Sequence, residues 1–253
     1  TYKSLYKIYE RLSVFDVYFS FRSSFRARLL KFFVKAKNKY QFNNSKYPNR
    51  HQVEKYADFI NDSLNIDVHA GSLTIYKTNT KNKESSKILG INPGASYGSA
   101  KRWYPEKFAK IAIELSDRFD IIIFGGIDEQ GFAKKIEKIL IKNNIKNYHN
   151  LAGKTSITEL INYISNLDIF ITGDSGPMHL AASLEIPTIT IIGPTNEAET
   201  SQWMNPKSIV VKKNLDCQPC MKRTCPLKHH NCMKLIEAQE VIDNVHLIYP
   251  SLS

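Results

Sequence analysis

Two loops in this chain carry side chains suited to holding a diphosphate. The first is Gly173-Asp174-Ser175-Gly176-Pro177-Met178-His179, which follows the apolar run Ile169-Phe170-Ile171-Thr172 and opens a helix with Pro177 in its first turn. Its glycines admit close backbone approach. Ser175 can cap the helix, and its hydroxyl with the N–H groups that follow suits phosphate oxygens. An ordinary capped strand-to-helix turn has the same composition. Asp174 would repel a phosphate, so it reads as an acceptor for sugar hydroxyls or as the partner that orders the loop. His179, one turn into the helix, is either a ligand contact or a packing residue.

The second loop, Pro93-Gly94-Ala95-Ser96-Tyr97-Gly98-Ser99-Ala100-Lys101-Arg102-Trp103, is rich in small residues and then sets two cations before an aromatic ring. No Gly-Lys-Ser/Thr follows its glycines, so it does not read as the phosphate loop of a nucleoside triphosphatase. Lys101 is the preferred cation because a mobile ammonium can neutralise charge growing on a leaving diphosphate. Arg102 and Trp103 equally suit packing against a helix that begins at Pro105. A third loop, Phe124-Gly125-Gly126-Ile127-Asp128-Glu129, puts carboxylates where nucleotide-binding folds hold ribose hydroxyls. The dipole of a helix start accounts for those acids just as well. Gly193 to Glu197 forms a fourth loop of this kind.

All four loops must sit at strand ends to act together, and the sequence from Lys87 onward supplies such strands. Short apolar runs alternate with longer helical patterns, which predicts parallel strands joined by helical crossovers, an α/β layered domain. Strands are expected at Ile88 to Asn92, Asp120 to Phe124, Asp168 to Thr172, Thr188 to Ile192 and Ser208 to Val211. Helices are expected at Pro105 to Asp117, Glu129 to Asn143, Ile157 to Asn166, Pro177 to Leu184 and Ile236 to Leu247. Ser156 and Glu159 have capping-box spacing at the start of one of them. Upstream, the pattern reads helix from Tyr2 to Leu12, strand from Val14 to Phe19, helix from Phe25 to Ala36 and helix from Gln52 to Leu64. In the Phe25 helix, Phe25, Leu29, Phe32, Phe33 and Ala36 recur as an inward face, with Arg28, Lys31 and Lys35 on another. Thr78 to Ser86, charged and without an apolar residue, reads as a linker.

At 253 residues and 42% hydrophobic content, the chain can bury a sizeable core. No apolar run approaches the ~18 residues of a membrane span, and no secretory leader is evident, so it reads as soluble and intracellular. Because it starts at Thr1 in what looks like mid-helix, an upstream segment is expected. Thr1 to Arg50 hold 12 Lys and Arg against Glu10 and Asp16, which accounts for +10 of the total charge of +11. A basic surface so localised points to an anionic partner or to a solvated face. Nucleic acid fits poorly, since stacking aromatics are not interleaved and no recognisable module is present. Cys217, Cys220, Cys225 and Cys232 have a spacing that could hold zinc, with His229 and His230 between the last two. Reduced thiols packed in a loop are the preferred reading.

The quoted stretches at 93 to 103 and 173 to 179 resemble those of bacterial lipopolysaccharide heptosyltransferases, and the Cys-rich tail resembles the heptosyltransferase II branch. The likeness runs from Phe15 to the C-terminus and is strongest from Asn92 to Met233. It implies a GT-B architecture of two Rossmann-like domains. Here these would be residues 1–85, an incomplete acceptor-binding domain with its linker, and residues 86–253, the sugar-nucleotide domain. It also implies an inverting transfer of heptose from ADP-heptose to the inner core, with no metal and no cofactor. Lys101, Ser175 and Gly176 would meet the departing diphosphate, Ser96 would add a donor, Asp174 and His179 would position donor sugar and phosphate, and Glu129 would take the ribose. Arg22, Arg26 and Arg50 occupy regions resembling those that meet the phosphorylated lipid A–Kdo–heptose acceptor, and Arg28, Lys31 and Lys35 would face anionic lipid. The resemblance places such an enzyme in the cytoplasm at the inner membrane of a Gram-negative bacterium. The family begins with a strand and a Gly-Asp loop carrying the catalytic base. Nothing before Tyr18 matches that pattern, so the base is expected upstream of Thr1.

Overall fold

A computed structural model describes residues 13–76, 86–95 and 97–250. The helix expected at Tyr2 to Leu12, nearly all of the linker, and Ser96 lie outside the described residues. The chain divides into two compact units, the first ending at Gly71 and the second beginning at Ser72. Ile75 packs against a hydrophobic cluster of the second unit.

In the first unit, β1 (Phe15–Ser20) and β2 (Ala36–Gln41) pair in parallel, with Phe15 opposite Ala36 and Phe19 opposite Tyr40. Between them runs α1 (Phe25–Phe33), capped by Ser24, whose hydroxyl accepts from the Ala27 N–H. Helix α2 (Gln52–Leu64) follows and closes a small aromatic core of Phe42, Tyr47 and Phe59.

Two expectations fail here. The Phe25 helix stops at Phe33, because Val34 turns extended and Ala36 starts a strand. Its inward face is only partly the one expected, since Leu29, Phe33 and Ala36 are half-buried but Phe25 and Phe32 are not. Phe25 and Phe32 are 74% and 77% exposed, whereas Val34 is buried and Ala27 and Leu30, which share its side of the helix, are half-buried. Helical spacing reveals that a stripe exists but not which neighbour covers it. Strand β2, Ala-Lys-Asn-Lys-Tyr-Gln, is too polar to announce itself as a strand.

The second unit is a six-stranded parallel sheet in the order β5-β4-β3-β6-β7-β8. Its strands are β3 (Ile88–Asn92), β4 (Asp120–Ile123), β5 (Tyr148–Asn150), β6 (Ile169–Gly173), β7 (Thr188–Ile191) and β8 (Ser208–Val211). The helices are α3 (Pro105–Leu115), α4 (Gln130–Lys142), α5 (Ile157–Ser165), α6 (Gly176–Ser183), the short α7 (Glu197–Thr200) and α8 (Asn231–Lys234), and α9 (Ala238–Ile248). Each expected strand and helix of this unit is present within two residues of its predicted ends. The Ser156–Glu159 capping box is made, with the Glu159 carboxylate accepting from the Ser156 N–H at 2.8 Å. The strand β5 and the one-turn helices α7 and α8 are not foreseen. Three half-buried or exposed residues on a sheet edge leave too short a pattern to read.

Side chains from the two faces of the sheet fill separate cores. One holds Leu89, Ile91, Phe108, Ile121, Ile136 and Val241; the other holds Ile122, Phe124, Ile164, Phe170 and Ala181. Trp103 belongs to the first, edge-on to Phe108 at 4.9 Å and donating its indole N–H to the Ile236 carbonyl. It is a packing residue. Among the described residues, no helix is long and apolar enough to cross a membrane.

Gly90 in β3 leaves no room for a side chain, since an added Cβ would lie 2.4 Å from Leu167 Cδ1 and 2.7 Å from Phe170 Cδ2. Gly90→Ala should therefore destabilise the second unit by roughly 1–3 kcal/mol through overpacking. Urea unfolding measures this, and an unshifted midpoint would refute so tight an interior.

Candidate functional site

Strand order reverses about β3 and β6, and in open parallel sheets ligands bind outside the carboxyl ends of strands at such a point. Asn92 ends β3 directly opposite Thr172 of β6. Its amide nitrogen donates to Thr172 Oγ1 and to Ser175 Oγ, each at 3.1 Å. Its Oδ1 is buried without a hydrogen-bond partner among the described residues. Ser175 is the N-cap residue of α6 by position, yet its side chain caps nothing, because Asn92 engages the hydroxyl. The expected Ser175 cap is thus corrected, and among the described residues no side chain caps the N–H groups at the start of α6.

Beside this point lies a cavity of about 340 Å³. Asn92, the Gly125–Glu129 turn after β4, Thr155 and Ser156 after β5, Ser175 to Pro177 after β6, and Arg102 contribute to its wall. Glu129, Ser175 and Gly176, all expected site residues, therefore meet at one cavity. Glu129 closes its own turn, with Oε2 accepting from the Gly126 N–H at 2.8 Å. The carboxylate also fills the space above Gly94, where an added Cβ would sit 2.0 Å from Glu129 Cδ. Arg102 reaches the wall from the opposite side and donates to the Ala95 carbonyl. Sequence reasoning had ranked Arg102 below its neighbour.

That neighbour, Lys101, is not part of the wall, and neither are Asp174 and His179. The Lys101 ammonium is 2.8 Å from Asp174 Oδ2, both side chains being about nine-tenths buried or more. It also lies 4.7 Å from the centre of the Tyr97 ring, a cation–π contact. Asp174 Oδ2 further accepts from Thr195 Oγ1 at 2.5 Å and Thr200 Oγ1 at 3.1 Å. Of the two roles open to Asp174 from the sequence, ordering the loop is visible in these bonds. His179 sits half-buried in α6. Thr195 and Thr200 were not foreseen, and apart from Thr195 falling in the fourth loop no sequence signal marked them.

The expected acceptor residues belong to the first unit. Arg22 and Arg26 are exposed, before and within α1. Arg50 pairs with Glu54 at 3.0 Å and Asp58 at 2.8 Å, so its charge is already compensated.

The Cys-rich segment lies against the Lys101 loop. Among the described residues, no three His, Cys, Asp or Glu side chains converge on a metal position, and the four thiols are free. The segment braces the Lys101 loop. Tyr97 donates its hydroxyl to the Met221 carbonyl, and the Ala100 N–H donates to the Arg223 carbonyl. His230 Nε2 is 2.9 Å from the Ala100 carbonyl and Nδ1 is 3.1 Å from the Tyr104 hydroxyl. A carbonyl can only accept, so Nε2 carries a proton there, and a neutral ring then takes the Tyr104 hydroxyl proton on Nδ1. Further on, Met221 donates to the Pro194 carbonyl and Gln218 to the Gly193 carbonyl. The segment thus joins the loop after β3 to the loop after β7.

A parallel sheet with a reversed strand order and a cavity at the reversal define an α/β domain of the doubly wound type, with the cavity where such domains hold ligands. The model of glycosyltransferase family 9 (heptosyltransferase) matches residues 17–231. Lipooligosaccharide heptosyltransferase 2 of Campylobacter jejuni is 44% identical over 248 residues, covering 96% of this chain and 77% of that protein. The chain therefore belongs to glycosyltransferase family 9 and is an enzyme of the heptosyltransferase class. Among solved structures, E. coli ADP-heptose lps heptosyltransferase II matches with TM-score 0.78 at 20% identity over 97% of this chain and 79% of its own. A family 9 glycosyl transferase from Veillonella parvula DSM 2008 matches with TM-score 0.81 at 17% identity over 98% and 78%. At such identities these two bear on the fold alone, which is α/β of the expected GT-B type.

Burial, with the neighbouring thiols adding to it, pushes the Cys232 thiol up to about 11. Only the thiolate attacks an alkylating reagent, so at pH 8 Cys232 should hold roughly a hundredfold less reactive form than a thiol at the ordinary value. In a timed iodoacetamide reaction followed by peptide mass mapping, Cys232 should be labelled last of the four. Labelling at the rate of Cys217 would contradict the buried placement.

Proposed function

We propose that this enzyme transfers heptose from ADP-L-glycero-D-manno-heptose to the heptose of a lipopolysaccharide or lipooligosaccharide inner core, inverting the anomeric centre without a metal. The observation that carries the reading is the cavity at the β3/β6 reversal, which meets the start of α6 at Ser175 and Gly176 and has Glu129 on its wall. A nucleoside diphosphate suits that arrangement. Glu129 would accept from ribose hydroxyls, and the diphosphate would lie against the α6 start, where uncovered N–H groups and the helix dipole favour an anion.

In the transfer, the acceptor hydroxyl loses its proton to a base and forms a bond to the anomeric carbon. The bond from that carbon to the phosphate oxygen breaks, and ADP leaves with the electron pair. Lys101 with the α6 start, and Ser96 by its hydroxyl, would offset the charge on the departing diphosphate. Asp174 and His179 would orient the donor sugar. No carboxylate of this chain is assigned the role of base.

On the first unit, exposed Arg22 and Arg26 would meet acceptor phosphates, with Arg50 contributing where its carboxylate partners release it. Exposed Arg28 beside exposed Phe25 and Phe32 supports action at an anionic membrane surface, at the cytoplasmic face of a Gram-negative inner membrane. Binding to anionic vesicles should weaken with salt and on charge reversal at Arg28 and Lys31. Unchanged co-sedimentation would count against that location.

Transfer itself is tested with ADP-heptose and a heptosylated Kdo–lipid A acceptor. ADP should compete with the donor better than UDP or GDP, and Lys101→Ala should lower kcat on the order of 10²-fold. Equal competition by UDP would redirect the proposal to another sugar nucleotide. Donor binding without transfer would make the chain a binding module.

A further inference from the structure

Three donors meet on one oxygen, Asp174 Oδ2: the Lys101 ammonium and the hydroxyls of Thr195 and Thr200. The lysine alone balances the carboxylate's charge, so the two hydroxyls call for a separate account. They come from the turn after β7 and the last residue of α7, elements that carry no other part of the proposed site. Their value appears when the ammonium is needed elsewhere. Neither Lys101 nor Asp174 reaches the cavity wall, so Lys101 must loosen its hold on Asp174 to meet a diphosphate there. A buried carboxylate left by its only partner is strongly destabilising. With two hydroxyls still donating to it, the carboxylate is not left alone. Thr200 is built for the exchange, since its single proton is shared between Asp174 at 3.1 Å and the Asn196 carbonyl at 3.2 Å and can turn wholly to Asp174.

We infer that Thr195 and Thr200 are positioning residues that hold Asp174 in place while Lys101 transfers to the ligand's diphosphate. The inference rests on the diphosphate reading of the Lys101 loop. Both threonines act through Asp174 and touch no ligand.

Valine matches threonine in shape and lacks the proton, whereas serine keeps it. Calorimetric titration of ADP and of adenosine into the whole chain separates the diphosphate from the nucleoside. T195V/T200V should lose roughly tenfold in ADP affinity, as expected for hydrogen bonds to a charged group, while adenosine affinity stays within about twofold. T195S/T200S should bind ADP like the wild type. A parallel fall for ADP and adenosine, an unchanged ADP affinity in the valine variant, or a serine variant as weak as the valine one overturns the inference. So does a wild-type chain that binds ADP no better than adenosine. Heptose transfer by the same wild-type sample judges the proposed function separately. If ADP binding follows the expected pattern but no heptose is transferred, that function falls and the threonines keep their role.

Discussion

An ammonium and a carboxylate can be buried only where each has the other, or an equivalent set of partners, within reach. Lys101 and Asp174 meet that condition across 73 positions of sequence. In doing so they bind the turn after β3 to the loop that opens α6. Attraction between such charges is far stronger inside a protein than in water, so the pair also dictates where both backbones run. Thr195 and Thr200 extend the same knot to the strand beyond, and the Tyr97 ring closes over the ammonium. Three strand ends are therefore held through one carboxylate.

A pair of this kind needs a firm backbone beneath it, which the Cys-rich segment supplies. The approach is so close that a Cβ on Gly98 would lie 2.3 Å from the Arg223 carbonyl oxygen. Any other residue at 98 would lift the loop off its brace and carry Lys101 with it. His230 adds to the brace from an αL backbone conformation, with φ at 55°, uncommon outside glycine. Cys232 and Met233 pack in the sheet's main core, so the brace is anchored to the domain's most buried layer. Four cysteines so spaced invite a metal reading. Of the four, Cys232 is buried in the core and the other three are half-buried in the brace.

The second unit was legible in the sequence because its central strands are buried on both faces and its helices on one. Ile-Phe-Ile-Thr-Gly at β6 is buried throughout, and such runs bounded by glycine and proline have few alternative readings. The first unit was less legible. Its strands are half-exposed and its helix α1 has apolar residues on two sides, so periodicity alone mixed exposed Phe25 and Phe32 with half-buried Leu29 and Phe33. Within the site, the residue types that can meet a ligand, Glu129, Ser175 and Gly176, were readable and do share a cavity. What could not be read was how they are held. Asn92 takes the hydroxyl that a helix cap would have used, and only the pairing of β3 with β6 brings it there.

Strand order also gives the site a direction. The cavity extends from the reversal toward the loops after β4 and β5, while the Lys101–Asp174 pair and its threonines lie toward β7. A ligand lying across the reversal would have its uncharged end against Phe124, Gly125 and Thr155. Its charged middle would come to the start of α6, with Lys101 just behind. A molecule with charge at one end only would use half of this arrangement, and one with charge along its whole length would meet the Asp128 and Glu129 carboxylates. On the proposed reading, a nucleoside joined through a diphosphate to a sugar would meet these surfaces in that order. On that reading the supporting hydroxyls, on the β7 side, hold Asp174 from outside the cavity wall.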